Sequence, residues 1–247
     1  IPPLPAAAAV ALVVALLPRL GWTAAAAVGV AWLAVGTPHE PGTAVVVAAG
    51  LVACPLLLSR AGAWWSLPAL APALAAVGLA CAWPVLAALA PRVYQRAALG
   101  ALGAWWVALA EPLSGRRLYL GQAAGIAPSV GWTDSARDGA AAALMPLVTS
   151  GALATLLIWA AAAAVLPWIV RNRSPGAGAI GVVAWTAALF TGTEILAAAL
   201  RGTISPLGPR GVLGGAAAAG LAAAGVRLVR TRPRHRSPGL GGAPRVP

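Results

Sequence analysis

The chain has 247 residues, of which 60% are hydrophobic and 9% are charged, and its mean hydropathy is +0.85. Soluble domains carry about 25% charged residues, so this composition excludes an ordinary soluble enzyme and indicates a polytopic membrane protein. The net charge of +12 arises with seventeen arginines and no lysine, which excludes a Walker A loop, a Schiff-base enzyme and a kinase catalytic lysine.

Apolar runs separated by short turns predict an all-α bundle of seven or eight transmembrane helices within residues 1–226. As one helix, the first run (6–36) would be about 45 Å long, which exceeds a hydrocarbon core of about 30 Å. A turn is therefore expected at Pro18 and Arg19, although one tilted segment would give seven spans. The predicted spans are 6–17, 20–36, 43–58, 68–90, 97–111, 139–170, 179–200 and 211–226.

Prolines are expected to bend two of the longer spans. Pro72 and Pro84 predict a kinked rod over 68–90, and Pro146 predicts a kink in 139–170. Between the fifth and sixth spans lies the longest predicted loop, 112–138. We expect this loop to face outward, where it is the first candidate for contact with an external ligand.

The loop ends in a pattern that predicts the start of the next helix. Ser135 is followed three positions later by Asp138, which resembles a capping box before an apolar run. The two cysteines, Cys54 and Cys81, are isolated in apolar runs and are expected to be buried rather than to form a disulfide or a metal site.

The last 21 residues, 227–247, are basic and rich in Pro and Gly, which predicts a disordered tail. Arginines prefer the cytoplasmic side, so the chain is predicted to be a multi-pass protein of the plasma membrane with a cytoplasmic C-terminus, and no nucleic-acid partner is expected. The tail either remains solvated or contacts anionic lipid headgroups in addition to the bilayer itself. The tail arginines concerned are Arg227, Arg230, Arg232, Arg234 and Arg236.

Two groups of polar residues are candidate sites. Glu111 lies at the expected end of the fifth span, before Arg116 and Arg117. The two arginines either form an anion or headgroup site that Glu111 orients, or the three residues form a solvated, charge-neutralised helix end.

Glu194 lies within the seventh predicted span, and Arg201 follows seven positions later on the same helical face. The acid is either a proton or cation relay in a transporter or one half of an ion pair. No catalytic, cofactor or metal residue is predicted, because the two histidines lie in turns or the tail and no acid–base pair can be assembled.

Two stretches carry a resemblance: "LLLSRAGAWWSLPALAPALAAVGLACAWPVLAAL" (56–89) and "RAALGALGAWWVALAEPLSGRRLYLG" (96–121). Together they resemble the C-terminal multi-span membrane region of bacterial eukaryotic-like serine/threonine protein kinases. The resemblance implies that Ile1 begins a fragment, and that a cytoplasmic kinase domain lies upstream and signals across the membrane. The chain itself contains no kinase motif, so ATP and Mg²⁺ are expected only in that upstream domain.

The first functional hypothesis is therefore a non-catalytic membrane domain that anchors, and regulates, a kinase encoded upstream. The alternative is a small transporter or permease in which Glu194 and the proline-broken helices line a path. The sequence predicts no particular oligomeric state.

Overall fold

The computed structural model describes residues 11–37, 39–119, 131–170 and 175–200, and in these ranges the chain is helical with no strand. The all-α prediction is therefore confirmed for these residues. Outside these ranges lie the predicted span 211–226, the basic tail 227–247 with its arginines, and Arg201. The helices are α1 (Leu20–Val35), α2 (Pro41–Leu57), α3 (Ala71–Ala76), α4 (Trp83–Ala87), α5 (Val93–Ser114), α6 (Ala136–Thr149), α7 (Ala154–Val170) and α8 (Pro175–Ala199).

Helix α5 occupies the centre of the described structure. It packs against α7 on one side and α2 on the other, while α1 lies beside α2 and α8 lies beside α7. The short helices α3 and α4 lie against α5, and both cysteines are buried as expected. One consequence is that α5 contributes to both of the buried hydrophobic clusters.

A glycine allows α5 and α7 to approach each other closely. A Cβ atom at Gly100 would lie 2.5 Å from the carbonyl oxygen of Trp159 and 3.1 Å from the Cα of Ala160. Small residues permit this kind of backbone contact between membrane helices, where packing rather than hydrophobicity drives association.

Helix α5 is longer than the predicted span 97–111 at both ends. Its first turn is held because Gln95 Oε1 accepts the Arg92 N–H at 3.3 Å, and Arg96 Nε donates to the Ala90 carbonyl at 2.7 Å. At the other end, Pro112 lies inside the helix and does not stop it. The helix ends instead at Gly115, which adopts the left-handed conformation (φ 63°) that glycine tolerates.

The predicted span 68–90 is not one helix. It consists of α3 and α4 with short 3-10 turns, and Gly78 between them has φ 77°. Proline removes a backbone donor and clashes with the preceding turn. In this segment the prolines occupy first turns of the short pieces, so each proline starts a new helix where a kink was predicted.

The predicted span 139–170 is also interrupted. Helices α6 and α7 meet at an angle of 62°, and the break contains Gly151 at φ 79°. Pro146 does not cause the break, because helix continues through it to Thr149. A π-helical stretch at Ala140–Leu144 precedes that proline instead. Such local widening of a helix accommodates a residue that cannot complete the regular hydrogen-bond pattern.

Fewer helices qualify as membrane spans than the sequence predicted. Within the described ranges, two helices are long and apolar enough to cross a membrane, Val93–Ser114 and Ile180–Ala199, and the bent pair α6–α7 would make a third. The count of seven or eight is therefore wrong for this part of the chain. The reasons are the breaks described above and the shortness of α1 and α2, which have 16 and 17 residues.

Candidate functional site

The predicted acid Glu111 is buried near the end of α5, with 3% of its surface exposed. Its Oε1 atom accepts hydrogen bonds from the backbone N–H groups of Leu118 and Tyr119, at 2.9 Å and 2.6 Å. Hydrogen bonds to an ionised acceptor are stronger than neutral ones. The carboxylate therefore holds the chain that follows α5 back against the end of the helix.

The predicted arginines lie at the tip of this corner. Gly115 reverses the chain direction, and Arg116 and Arg117 follow it with exposed side chains. The hydrogen bonds that Glu111 accepts fix the backbone at Leu118 and Tyr119, immediately after the two arginines. Glu111 therefore holds the backbone that directly follows the two arginines, while the anion site itself stays a prediction.

Tyr119 is the middle member of a chain of buried hydrogen bonds that joins three parts of the fold. Its hydroxyl lies 2.8 Å from Thr193 Oγ1 in α8, and the Cys81 thiol donates to it at 3.6 Å. Because the Thr193 hydroxyl donates its one proton to the Leu189 carbonyl at 2.8 Å, Tyr119 must be the donor to Thr193. The direction of the whole chain is therefore fixed, from Cys81 through Tyr119 and Thr193 to the α8 backbone.

The surroundings of Tyr119 keep its hydroxyl protonated. Burial raises the pKa of the Tyr119 phenol well above its ordinary value. The ring also meets Trp159 edge-on, with centroids 5.0 Å apart, an arrangement that aromatic pairs favour. Tyr119 is consequently a neutral anchor, and a role as a proton acceptor at physiological pH is not supported.

Near Tyr119 there is one more buried hydroxyl, that of Thr155, and it has no hydrogen-bond partner among the described residues. Thr155 lies one helical turn before Trp159 on α7 and is 4% exposed, and within the described ranges its Oγ1 has no partner. A buried hydroxyl without a partner is costly, so a small polar molecule such as water would be stabilised beside it. The described residues contain no group of three metal-ligating side chains.

Glu194 is next to Thr193 in sequence, but its side chain lies away from the buried side of α8. Thr193 is buried, whereas Glu194 is exposed, as is its neighbour Ile195 at 63%. The acid therefore lies on the outer surface of α8 and does not join the hydrogen-bonded group of Cys81, Tyr119 and Thr193. Transport along a path that contains Glu194 stays a prediction.

Sequence reasoning missed Tyr119, Thr193, Cys81 and Thr155. The only local signal was that Tyr119 is one of two tyrosines in the chain and follows a charged corner in which a buried aromatic residue is unusual. Cys81, Tyr119 and Thr193 are 38 and 74 positions apart, and no helical or strand period joins positions so distant.

Comparison with known proteins gave no relative: no protein-family model, no curated protein and no solved structure matches this chain.

Proposed function

We propose that this chain is an integral membrane domain that anchors a cytoplasmic serine/threonine kinase. The observation that carries the membrane part is the distribution of polar and apolar side chains. Large apolar side chains point outward from helices α7 and α8, with Leu157 73%, Ile180 72% and Val183 68% exposed. A soluble monomer rarely exposes so much apolar surface, whereas lipid is a favourable neighbour for it.

The interior shows the complementary pattern. Glu111, Thr155, Thr193 and Gln95 are buried, and three of them take part in hydrogen bonds of the described structure. In lipid, polar side chains face the protein interior, where they find partners. The pattern supports a multi-pass protein, and we place its C-terminus in the cytoplasm by the positive-inside rule.

The kinase part rests on the resemblance of stretches 56–89 and 96–121. These two stretches pack together: Trp83 Nε1 donates to the Leu99 carbonyl at 2.8 Å, and the Trp83 indole covers Gly103. The resemblance therefore falls on one packed unit of the fold rather than on two unrelated helices. We propose that this unit holds the kinase domain at the inner membrane surface.

Membrane fractionation tests the first part of the proposal. The chain expressed in bacteria should remain in the membrane pellet after washing with alkaline carbonate and should be released only by detergent. A peripheral protein with a comparable charge is the control, and carbonate should release it. Recovery of the chain in the carbonate supernatant would contradict the proposal.

The kinase part has an independent test. The reading frame that precedes the Ile1 codon should encode a Gly-rich loop, a His-Arg-Asp motif and an Asp-Phe-Gly motif. In the full-length protein, truncation immediately before Ile1, which removes every predicted span including 211–226, should move phosphotransfer activity from the membrane pellet to the soluble fraction. A reading frame without these motifs would rule out the kinase role and leave the membrane assignment intact.

A further inference from the structure

An apolar groove runs along the outer side of α1. Its volume is about 470 Å³, and it lies between α1, α2 and the helical residues 11–16. Apart from Ser66 and the indole groups, its lining is aliphatic. The lining residues that the argument uses are Val14, Trp22, Gly29, Leu33, Leu51 and Ser66.

Two arginines lie in or against the segment 59–66, which contributes Ser66 to the groove. The Arg19 side chain lies across Gly62, where a Cβ atom would be 2.6 Å from Arg19 Cγ. Arg60 precedes Gly62 by two positions and is exposed, as is Arg19. Within the described ranges, neither guanidinium has a hydrogen-bond or ion-pair partner, so both remain available to a ligand.

Trp22 connects these two arginines to the groove. It lies one turn after Arg19, lines the groove, and meets the Trp65 ring at a centroid distance of 5.2 Å. Arg19 therefore contacts Gly62, and Trp22 contacts Trp65, which is three residues further along the same segment. The two contacts bring Arg19 and the segment that carries Arg60 next to Trp22 and Ser66, which line the groove.

The length of the groove matches one leaflet of a bilayer. It follows α1 from Trp22 to Leu33, which is about 16 Å at 1.5 Å per residue. One leaflet provides about 15 Å, half of a hydrocarbon core of about 30 Å. A lipid chain whose headgroup lies near Arg19 would thus remain in contact with the groove over most of its length.

We propose that this groove binds an anionic glycerophospholipid, with an acyl chain along α1 and the headgroup phosphate at Arg19 and Arg60. Guanidinium groups bind phosphate oxygens in paired hydrogen bonds, and two adjacent cations favour a headgroup with net negative charge over a zwitterionic one. The proposal rests on the membrane location proposed above. It concerns a different surface from the basic tail at 227–247.

Native mass spectrometry of the detergent-solubilised chain tests the role of the two arginines. The probes are phosphatidylglycerol and phosphatidylcholine, added at equal concentrations. We expect the wild-type chain to prefer phosphatidylglycerol, and the double variant R19Q/R60Q to bind it about 10- to 30-fold more weakly, on the basis of about 1 kcal/mol for each basic residue. The matched control R92Q/R137Q removes the same charge from two other exposed arginines and should retain the preference.

A second variant tests the groove itself. A Cβ atom at Gly29 meets nothing within 4 Å, so Gly29→Leu fills the groove without a clash and also raises helix propensity. It should reduce the binding of both lipids while the circular dichroism spectrum stays unchanged. Ala27→Leu, which adds a leucine at an exposed position of α1 outside the groove lining, is the control and should bind lipid nearly as the wild type does.

Three results would overturn the proposal. The first is equal binding of the two lipids by the wild type, and the second is the same loss in R19Q/R60Q and R92Q/R137Q. The third is retention of lipid by Gly29→Leu. Each of these results leaves the chain in the carbonate-resistant membrane pellet, so failure of lipid binding is distinguishable from failure of the membrane assignment.

Discussion

Glu111 shows how backbone N–H groups can stabilise a single buried acid. Its Oε1 atom accepts two backbone N–H groups at the corner after α5. Removal of the acceptor would leave two donors unsatisfied in a buried place, and each hydrogen bond to a charged group contributes about 1.5–3 kcal/mol. The residue therefore acts first as a structural brace for the two arginines.

We accordingly expect Glu111→Ala, which loses both bonds, to lower the free energy of unfolding by about 3–6 kcal/mol. Glu111→Gln, which keeps an acceptor oxygen but loses the charge, should cost about 1 kcal/mol. Unfolding by SDS in mixed micelles, followed by tryptophan fluorescence, would measure both changes. The exposed Glu194→Ala is the control and should change stability by less than about 0.5 kcal/mol. Equal losses at positions 111 and 194 would refute the bracing role.

For single residues, the sequence predicts the place of a residue relative to a helix better than it predicts the group that the residue bonds to. The hydrogen bond from the Asp138 N–H to Ser135 Oγ follows from a three-residue spacing, and the structure confirms it at 3.3 Å. Trp65 lies between two predicted spans, where tryptophan is common at the membrane interface, and in the structure it is 6% exposed and donates to the Leu58 carbonyl. An interfacial and a buried tryptophan have the same sequence neighbours, so only the fold separates them.

Among the elements, the contact between α5 and α7 depends on the absence of a side chain. Gly100 lies against the backbone of α7, where no rotamer change can make room. Forced overpacking of such a contact costs about 1–3 kcal/mol. Helix α7 also carries Trp159, whose ring packs against Tyr119. A shift of α7 would therefore disturb both rings together.

Gly100→Ala should therefore destabilise the protein by about 1–3 kcal/mol and change the near-ultraviolet circular dichroism of its tryptophans. Gly29→Ala makes the same chemical change on α1, where open space lies beyond the glycine. It should be neutral or slightly stabilising, because alanine favours helix over glycine. The same SDS titration measures both variants, and similar losses in the two would show that close packing at Gly100 is unimportant.

The sequence predicted helix type well and helix continuity poorly. Prolines within 68–90 were expected to kink one rod, but together with Gly78 they divide it into separate short helices. A proline permits either outcome, and tertiary packing against α5 selects between them. Pro112 shows the opposite case, because α5 continues past it to Ser114.

Over the whole molecule, the outward-facing apolar surface determines the environment in which the fold is stable. Ala188 lies near the centre of the candidate span Ile180–Ala199 and is exposed. A charged residue at the centre of a membrane helix costs about 2.5–3.5 kcal/mol of insertion free energy. In water, the same exposed position would accept a charge at almost no cost.

Ala188→Asp should consequently reduce the fraction of the chain recovered in carbonate-washed membranes by at least severalfold. Ala63→Asp is the control, because Ala63 is equally classed as exposed but lies in the turn beside Arg60, and its recovery should match the wild type. Full recovery of Ala188→Asp would mean that the outer face of α8 does not contact lipid.

The unequal lengths of the helices have a consequence for the surrounding bilayer. Helix α5 has 22 residues and α1 has 16, which correspond to lengths of about 33 Å and about 24 Å. A hydrocarbon core of about 30 Å matches the first and exceeds the second. In the membrane location that we propose, an α1 that crosses the bilayer would require the lipids beside it to thin or tilt, and we would expect the protein to prefer thinner, more deformable membranes on its α1 side.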